Sequence, residues 1–570
     1  MPEVKNDISI VLSGAAGQGI QTVEDLLTRV LKRSGSHVFS TGEFMSRVRG
    51  GVNSTTIRVS TKRVCAYIDR IDVLIPLSSD AVTHVEERLS DNTVIIGDEK
   101  IFGDDPCCVD YTVLNVPFEQ LAESIGGKIY ANTVSLGLLA RITCADKETL
   151  HSLLTEVFGR KGREIIDSNI KAANKGYEIA DDLIKSGKLN VPSFPTNKQL
   201  TNDLLINGTQ AVALGAIAGG CNYSTYYPMA PGTGVSAFLA DNRQEFSIIV
   251  DQSEDEISVI NKAIGAWYAG ARAIVSTSGG GFALMTEGLS LAGSIESPMV
   301  IHLAQRPGPA TGLPTRTEQG DLELALYAGH GMFPRIIFSP GKLEDAFYLT
   351  QKAFDLADKY QVPVFILTDH YFVNTQYNIP EFSPLAKVEK HFIETGPDYK
   401  RFQFTEDGLT PRGIPGYGSG LIRADSHTHD EEGHITENPV IRTAMVDKYK
   451  LKLEQMKKEI IEPELVGNAN YKTLVIGWGS TYHLICEALE TLDRDDVAFL
   501  HFKQVYPLHP KTSEYLKKAE KKIIIENNPT SQFGNLIKME VCFDFDERIL
   551  KYNGMPFSVE ELVEKLQKVI

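Results

Sequence analysis

Short apolar runs that end in Gly, Ser or Pro turns and give way to helical spacing recur along this chain. ISIVL, at 8–12, runs into the turn Gly14-Ala15-Ala16-Gly17-Gln18-Gly19 and then into a helical pattern. VCAYI, DVLIPL and TVIIGD follow as further strands with helical stretches between them, which predicts a first α/β domain over 1–188. LNVPSFPTNK carries Pro and has no periodicity, so 189–200 reads as a linker. A second alternating region, 201–375, holds a small-residue helix within 209–220, an Ala- and Gly-rich helix at 256–272, and the strands RAIVSTSGGG, PMVIHLAQR and PVFILTDHY. Residues 376–465 form an irregular connection ending in a charged helix at 441–461, whose expected role is a solvated face. Alternation resumes at YKTLVIGWGS, in 466–570. Repeated strand-then-helix order implies parallel sheets, and the predicted class is α/β with several parallel-sheet domains.

The chemistry concentrates between Tyr227 and Asp321, where charged and hydroxyl residues sit at the ends of apolar runs beside Gly and Pro turns. Open α/β sheets bind ligands at that position. Gln305 and Arg306 close one strand, and Thr368, Asp369 and His370 close another. The turn Gly14–Gly19 has the spacing G-x-x-G-x-G; it suits either an anion at a helix start or a tight strand–helix crossing, and spacing alone does not choose. A second cluster, Ser46-Arg47-Val48-Arg49-Gly50-Gly51-Val52-Asn53, follows it. HTHDEEGH, His427 to His434, has metal-ligand residue types but lies in a stretch without a helix to fix geometry, so it is read as a solvated connection and no metal site is assigned.

Composition narrows the class. A chain of 570 residues calls for several domains. A net charge of -17 argues against nonspecific nucleic-acid binding. The seven cysteines include no C-x-x-C pair, which argues against zinc or an iron–sulfur cluster held by this chain alone and suits a reducing cytoplasm. Met1 to Ser9 lacks the apolar core of a signal peptide, and no run of about 18 apolar residues predicts a membrane span.

Longer runs carry a resemblance. SGAAGQGIQT with SRVRGG, TQAVALGAIAGGCNYSTYYPMAPGTG, AIGAWYAGARAIVSTSGGGFALMTEGLSLAG, QRPGPATGLPTRTEQGDL, VYPLHP and ENNPTSQFGNL together cover nearly the whole chain. They resemble the alpha subunit of the 2-oxoacid:ferredoxin oxidoreductases, in the form in which gamma and alpha domains are fused, similar to the enzymes of 2-oxoglutarate. The resemblance implies a gamma-type N-terminal domain, a thiamine-diphosphate-binding core like the pyrimidine domain of transketolase, and a C-terminal domain like that of transketolase. It implies CoA-dependent oxidative decarboxylation of a 2-oxoacid with ferredoxin as acceptor, or the reverse, with 2-oxoglutarate favoured over pyruvate and branched or aryl oxoacids.

The family's glutamate on the aminopyrimidine nitrogen falls on Glu256, by its position ahead of the AIGAWYAGA helix, with Glu254 as competitor. A carboxyl hydrogen-bonded to that nitrogen favours the reactive tautomer. Tyr227, Pro228, Ser278 and Gly279 are the other expected cofactor contacts. Arg306 matches the arginine that holds the substrate carboxylate, for which a planar guanidinium suits a bidentate grip. Thr315 matches a further substrate position, and either Arg316 or Arg272 could meet a second carboxylate. Where the family has Tyr-Pro-Ile-Thr-Pro this chain has Tyr-Pro-Met-Ala-Pro; Ala230 replaces the threonine, and Thr233 is the nearest substitute hydroxyl. Gly17, Gly19, Arg47 and Arg49 are candidates for coenzyme A. No Gly-Asp-Gly followed by Asn occurs. In the family that signature and the cluster cysteines lie on a beta subunit, so the resemblance implies that Mg2+, the diphosphate and a [4Fe-4S] cluster are held there. The rival readings are a non-oxidative thiamine diphosphate enzyme and a noncatalytic nucleotide-binding scaffold.

Overall fold

The computed structural model describes all residues except 1–6, 47–50, 103–110, 192–193, 195 and 384–387. The chain divides into two compact units, 1–207 with 374–382 and 558–560, and 208–373 with 383–557 and 561–570.

The first unit is built on an eight-stranded sheet. Thr112–Asn115, Val94–Gly97, Val73–Pro76 and Asp7–Ala15 are parallel neighbours. Val52–Ser60, His37–Glu43, Gln376–Ile379 and Leu204–Asn207 then continue the sheet antiparallel. The sheet is therefore mixed rather than parallel throughout. The connection 44–51 is too short for the crossover of a dozen residues that a parallel pair needs. Two local expectations fail here. VCAYI is buried without being a strand, and the strand that does form, VNSTTIRVS, hides its signal behind buried Ser, Thr and Arg side chains. Leu204–Asn207 and Gln376–Ile379, placed by sequence in the second domain and the connection, are strands of this sheet. The helix Ile20–Arg33 packs on it through Val23, Leu26, Leu27, Val30 and Leu31, at helical spacing.

The second unit holds a seven-stranded and a five-stranded sheet. In the first, Ile336–Phe338, Pro363–Asp369, Met299–Gln305, Ala273–Thr277, Tyr223–Tyr226 and Ile249–Gln252 are all parallel, and Gln504–Tyr506 adds an antiparallel seventh strand beside Ile336–Phe338. Met299–Gln305 and Pro363–Asp369 are buried at every residue, as expected of strands covered on both faces. The helix Gly208–Ala218 lies close against Leu343–Tyr360; a Cβ at Gly215 would come within 2.4 Å of the Phe347 carbonyl. The five-stranded sheet, of Glu464–Gly467, Val497–Phe502, Thr473–Trp478, Lys521–Glu526 and Glu547–Leu550, is parallel except at its first strand. Between these sheets in sequence lie a short parallel pair, Phe392–Thr395 with Arg412–Gly418, and the helix Pro439–Met456.

That helix corrects the expected solvated face. Lys448 and Lys452 are buried, and both reach the carboxylate of buried Glu296. Burial pushes the Glu296 pKa up, but Lys452, Lys448 and Arg401 together hold it well below the ordinary value of 4.5. A helix that reads as uniformly charged thus buries two of its charges on a distant carboxylate. In the His427–His434 stretch, His427 bonds Asp425 and His429 stacks on Phe402. Among the described residues no group of three or more His, Cys, Asp or Glu converges as a metal site, and no helix is long and apolar enough to cross a membrane.

Candidate active site

Parallel register brings the carboxyl ends of Tyr223–Tyr226, Ala273–Thr277, Met299–Gln305 and Pro363–Asp369 to one edge of the seven-stranded sheet, with Gln305 opposite Asp369. The turns leaving that edge carry most of the residues singled out in the sequence.

Asp255 caps the helix Glu256–Tyr268 by accepting from the Ser258 N–H at 2.7 Å. Glu256, in the first turn, is 3 % exposed, and its Oε1 has no hydrogen-bond partner. Burial pushes its pKa up. Glu254 is 73 % exposed, beside Lys262. Gly281 is the contact that makes room for Glu256: a Cβ there would lie 2.5 Å from Glu256 Oε1 and 2.3 Å from Thr277 Oγ1. Ser278, which precedes the helix Gly279–Leu284, is buried with its Oγ unpartnered.

Arg306 is buried at the end of Met299–Gln305. Its Nη1 donates to the Ala230 carbonyl at 2.7 Å, while Nε has no partner. Burial pulls its pKa down against the attraction of Asp321. Ala230 is exposed and holds Arg306 by its backbone; Thr233, the first residue of the helix Thr233–Asp241, is half-buried three residues on. Tyr227 and Pro228 are exposed on the same turn.

Beneath the turn runs a directed chain of hydrogen bonds. Ser276 Oγ donates to the Gly232 carbonyl at 2.6 Å. With its proton spent there, Ser276 accepts from His302 Nδ1–H at 2.8 Å, so Thr368 Oγ1 donates to His302 Nε2 at 2.9 Å. Burial holds the His302 pKa down to about 3, so the ring is neutral and this tautomer is fixed. No sequence signal marked His302, an apparently ordinary core position in PMVIHLAQR.

Thr315 and Arg316 lie half-buried on the loop after Arg306. The loop is pinned beyond them: the Thr317 N–H donates to the Gly554 carbonyl, and Gln319 bonds both the Asn527 backbone and the Trp478 carbonyl. Burial lowers the His370 pKa to about 4, followed by the charges of Arg316 and Arg306, so these three groups share one neighbourhood. Arg272, the alternative for a second carboxylate, is buried elsewhere in a 3.0 Å pair with Asp358, which also bonds Arg412.

In the first unit, Gly17 and Gly19 take φ of 91° and 78°, and Gly19 precedes the helix Ile20–Arg33. Gln18 fills the turn, accepting from the Ala15 N–H at 2.7 Å and donating to the Leu77 carbonyl at 2.7 Å. Asn132 donates to the Gln18 carbonyl. A Cβ at Gly17 would meet nothing within 4 Å, so one side of the turn is open. Arg47 and Arg49 lie outside the described residues.

Glu256, Ser278 and Arg306 each leave a buried polar atom unpaired around the Thr277–Gly281 turn. Buried polar groups are normally satisfied, so the set calls for a ligand carrying both donors and acceptors. The orphaned Glu256 oxygen, on a carboxyl whose pKa is raised, fits a ring nitrogen.

The fold and this set define an enzyme of the thiamine diphosphate-binding oxidoreductase class. Residues 214–448 match the family model described as "Pyruvate flavodoxin/ferredoxin oxidoreductase, thiamine diP-bdg", and residues 9–179 match "Pyruvate ferredoxin/flavodoxin oxidoreductase". The chain is 32 % identical to a 2-oxoacid:ferredoxin oxidoreductase subunit alpha of a Sulfolobus species, over 99 % of this chain and 97 % of the relative. It is 27 % identical to the 2-oxoglutarate oxidoreductase subunit KorA of Mycobacterium tuberculosis, over 98 % and 90 %. Among solved structures, the 2-oxoglutarate:ferredoxin oxidoreductase of Magnetococcus marinus with 2-oxoglutarate, coenzyme A and succinyl-CoA bound matches with a TM-score of 0.91 at 28 % identity, covering 99 % of both chains. The chain belongs to the family of 2-oxoacid:ferredoxin oxidoreductase alpha subunits.

Proposed function

We propose that this subunit serves the CoA-dependent oxidative decarboxylation of 2-oxoglutarate to an acyl-CoA and CO2, or the reverse, with ferredoxin as the electron carrier, in the cytoplasm. The observation that carries the proposal is the meeting, at one sheet edge, of Glu256 and Arg306, each buried with a free polar atom. Thiamine diphosphate, when bound, supplies the carbon nucleophile and the electron sink. Glu256 holds the pyrimidine nitrogen; its raised pKa suits a carboxyl that shares a proton there. Tyr227, Pro228, Ser278 and Gly279 would help to hold the same ring. Arg306 takes the oxoacid carboxylate and fixes the neighbouring ketone for attack. Thr315 and Thr233 complete the substrate contacts, Thr233 standing in for the hydroxyl absent at Ala230.

Arg316 supports 2-oxoglutarate over pyruvate. Its charge acts on His370 together with that of Arg306, which supports a second guanidinium near the clamp for a substrate with two carboxylates. Mg2+, the diphosphate contacts and the [4Fe-4S] cluster belong to a beta subunit that completes the site. Coenzyme A binds at the open side of the Gly17–Gly19 turn.

The test is viologen reduction, without oxygen, by the complex purified with its partner, given coenzyme A and a panel of 2-oxoacids. Reduction is expected to be fastest with 2-oxoglutarate. Arg306→Ala is expected to raise its KM on the order of 100-fold, the cost of leaving a carboxylate without its guanidinium. Decarboxylation without reduction, in a complex with intact clusters, would instead favour a non-oxidative thiamine diphosphate enzyme.

A further inference from the structure

Asp321 ends the loop that starts at Arg306 and has no part in the roles assigned above. Its N–H donates to the Gln305 side chain at 3.0 Å, tying its backbone to the residue before Arg306. It precedes the helix Leu322–Tyr327 but makes no side-chain capping bond to it. The carboxyl turns the other way, onto the site. A Cβ at Gly279 would lie 2.2 and 2.3 Å from its two oxygens, so glycine is what leaves it room. Oδ2 is buried without a hydrogen-bond partner.

The charged groups facing this carboxyl are Glu318, from its own loop, and Arg306, from the end of Met299–Gln305. The Ser278–Gly281 turn brings no titratable group. Gln532, which bonds Gly320 and Glu323 on either side, is neutral. Burial, then Glu318, pushes the Asp321 pKa up to about 7 against the pull of Arg306. A carboxylate beside an arginine normally closes on it and falls in pKa. Here Arg306 spends Nη1 on Ala230 and keeps Nε free.

We propose that Asp321 is a positioning residue for Arg306: it keeps a proton while Arg306 binds the oxoacid carboxylate, and once ionised it draws Arg306 onto itself and competes with the substrate. The proposal rests on Arg306 being the carboxylate clamp. A bound substrate carboxylate raises the negative charge near Asp321 and so strengthens its hold on the proton. By reciprocity, substrate affinity falls as Asp321 ionises.

The experiment compares wild type, Asp321→Asn, Glu318→Gln and Arg306→Ala in the complex with the partner subunit, between about pH 6 and about pH 8.5. For wild type, the oxoacid KM is expected to climb toward tenfold per pH unit on the alkaline side, while kcat moves less than about twofold. In Asp321→Asn the KM profile should be flat. In Glu318→Gln the climb should begin at lower pH, which also keeps the idea testable should the asparagine variant fail to assemble. A readout independent of turnover is infrared difference spectroscopy of the complex. The carboxylic C=O band lost on titrating wild type through neutral pH should be absent from Asp321→Asn. If Arg306→Ala raises KM but the alkaline climb survives in Asp321→Asn, or does not move in Glu318→Gln, the role of Asp321 is wrong and that of Arg306 stands. If Arg306→Ala leaves KM unchanged, the clamp is wrong and the inference falls with it.

Discussion

Two glycine-rich turns carry the chain from a strand into a helix, one after Asp7–Ala15 and one after Ala273–Thr277, and their surroundings differ. The first is filled from within its unit: Gln18 bonds Ala15 and Leu77, and Asn132 bonds Gln18. At the second, Glu256, Ser278, Arg306 and Asp321 all leave a buried polar atom unpaired. Glycine spacing reports that something passes close to the backbone; it does not say what. In the first turn much of that something is the protein's own amide side chains. At the second, Gly279 and Gly281 make way for two carboxyls, Asp321 and Glu256. Buried hydroxyls are left unpaired at both turns, Ser13 and Ser78 beside the first and Ser278 at the second. What distinguishes the second is that ionisable groups, Glu256, Arg306 and Asp321, also leave polar atoms unpaired there, at a free-energy cost when nothing binds.

The largest expected effect tests the second turn. Glu256→Gln should lower kcat by about 10²- to 10⁴-fold, the range for losing a positioned acid–base group. Glu254→Gln, on an exposed carboxylate two residues away, should change it little. Stopped assays of the complex with saturating thiamine diphosphate would read both. Equal losses in the two variants would mean that the helix start, not a specific carboxyl, is what matters.

A second contrast lies within the same unit. Glu256 and Glu296 are buried alike, at 3 % and 1 % exposure, but Glu296 faces Lys448, Lys452 and Arg401. Glu296→Gln should cost stability and leave the chemistry of folded complex intact. Removing one partner of a buried ion pair costs about 3–5 kcal/mol, here because three cations lose their counter-charge. The sign with pH follows from the depressed pKa. The stabilisation is complete above the ordinary value of 4.5 and is lost as pH falls toward the native value. Thermal unfolding should therefore show a large deficit for the variant at neutral pH, narrowing in acid. A constant deficit would assign the loss to packing.

These contrasts also mark what the sequence could reveal. The strand–helix order and the edge where Gln305, Arg306, Asp369 and His370 gather were legible, because apolar runs and their polar ends are local patterns; the preference for Glu256 over Glu254 came from the family resemblance instead. The polar strand Val52–Ser60 was not, since its buried Ser, Thr and Arg side chains mimic a surface segment. Nor was the burial of Lys448 and Lys452, because the carboxylate that receives them is about 150 residues earlier, as the separations of 152 and 156 show. Asp321 was in view as the end of a motif, but its meaning depends on Gly279 making room for it, and His302 needs two neighbouring strands to become a link in a chain. Long-range pairing of polar groups leaves no periodic trace.

The smallest expected effect returns to the first turn. Gln18→Ala removes bonds to Ala15 and Leu77 and should cost about 1–3 kcal/mol, the range for breaking a buried polar contact. The loosened turn no longer fixes Gly17 and Gly19, so the KM for coenzyme A should rise a few-fold, by analogy with other losses of preorganisation, while that for the oxoacid stays put. Titrating each substrate separately against the variant complex gives the answer. A selective rise would make the open side of Gly17 a working surface and narrow the difference between the two turns. An unchanged coenzyme A response would leave the first turn as a strand–helix crossing packed with amides, and the orphaned ionisable groups around the second as the trait that separates a site from a scaffold.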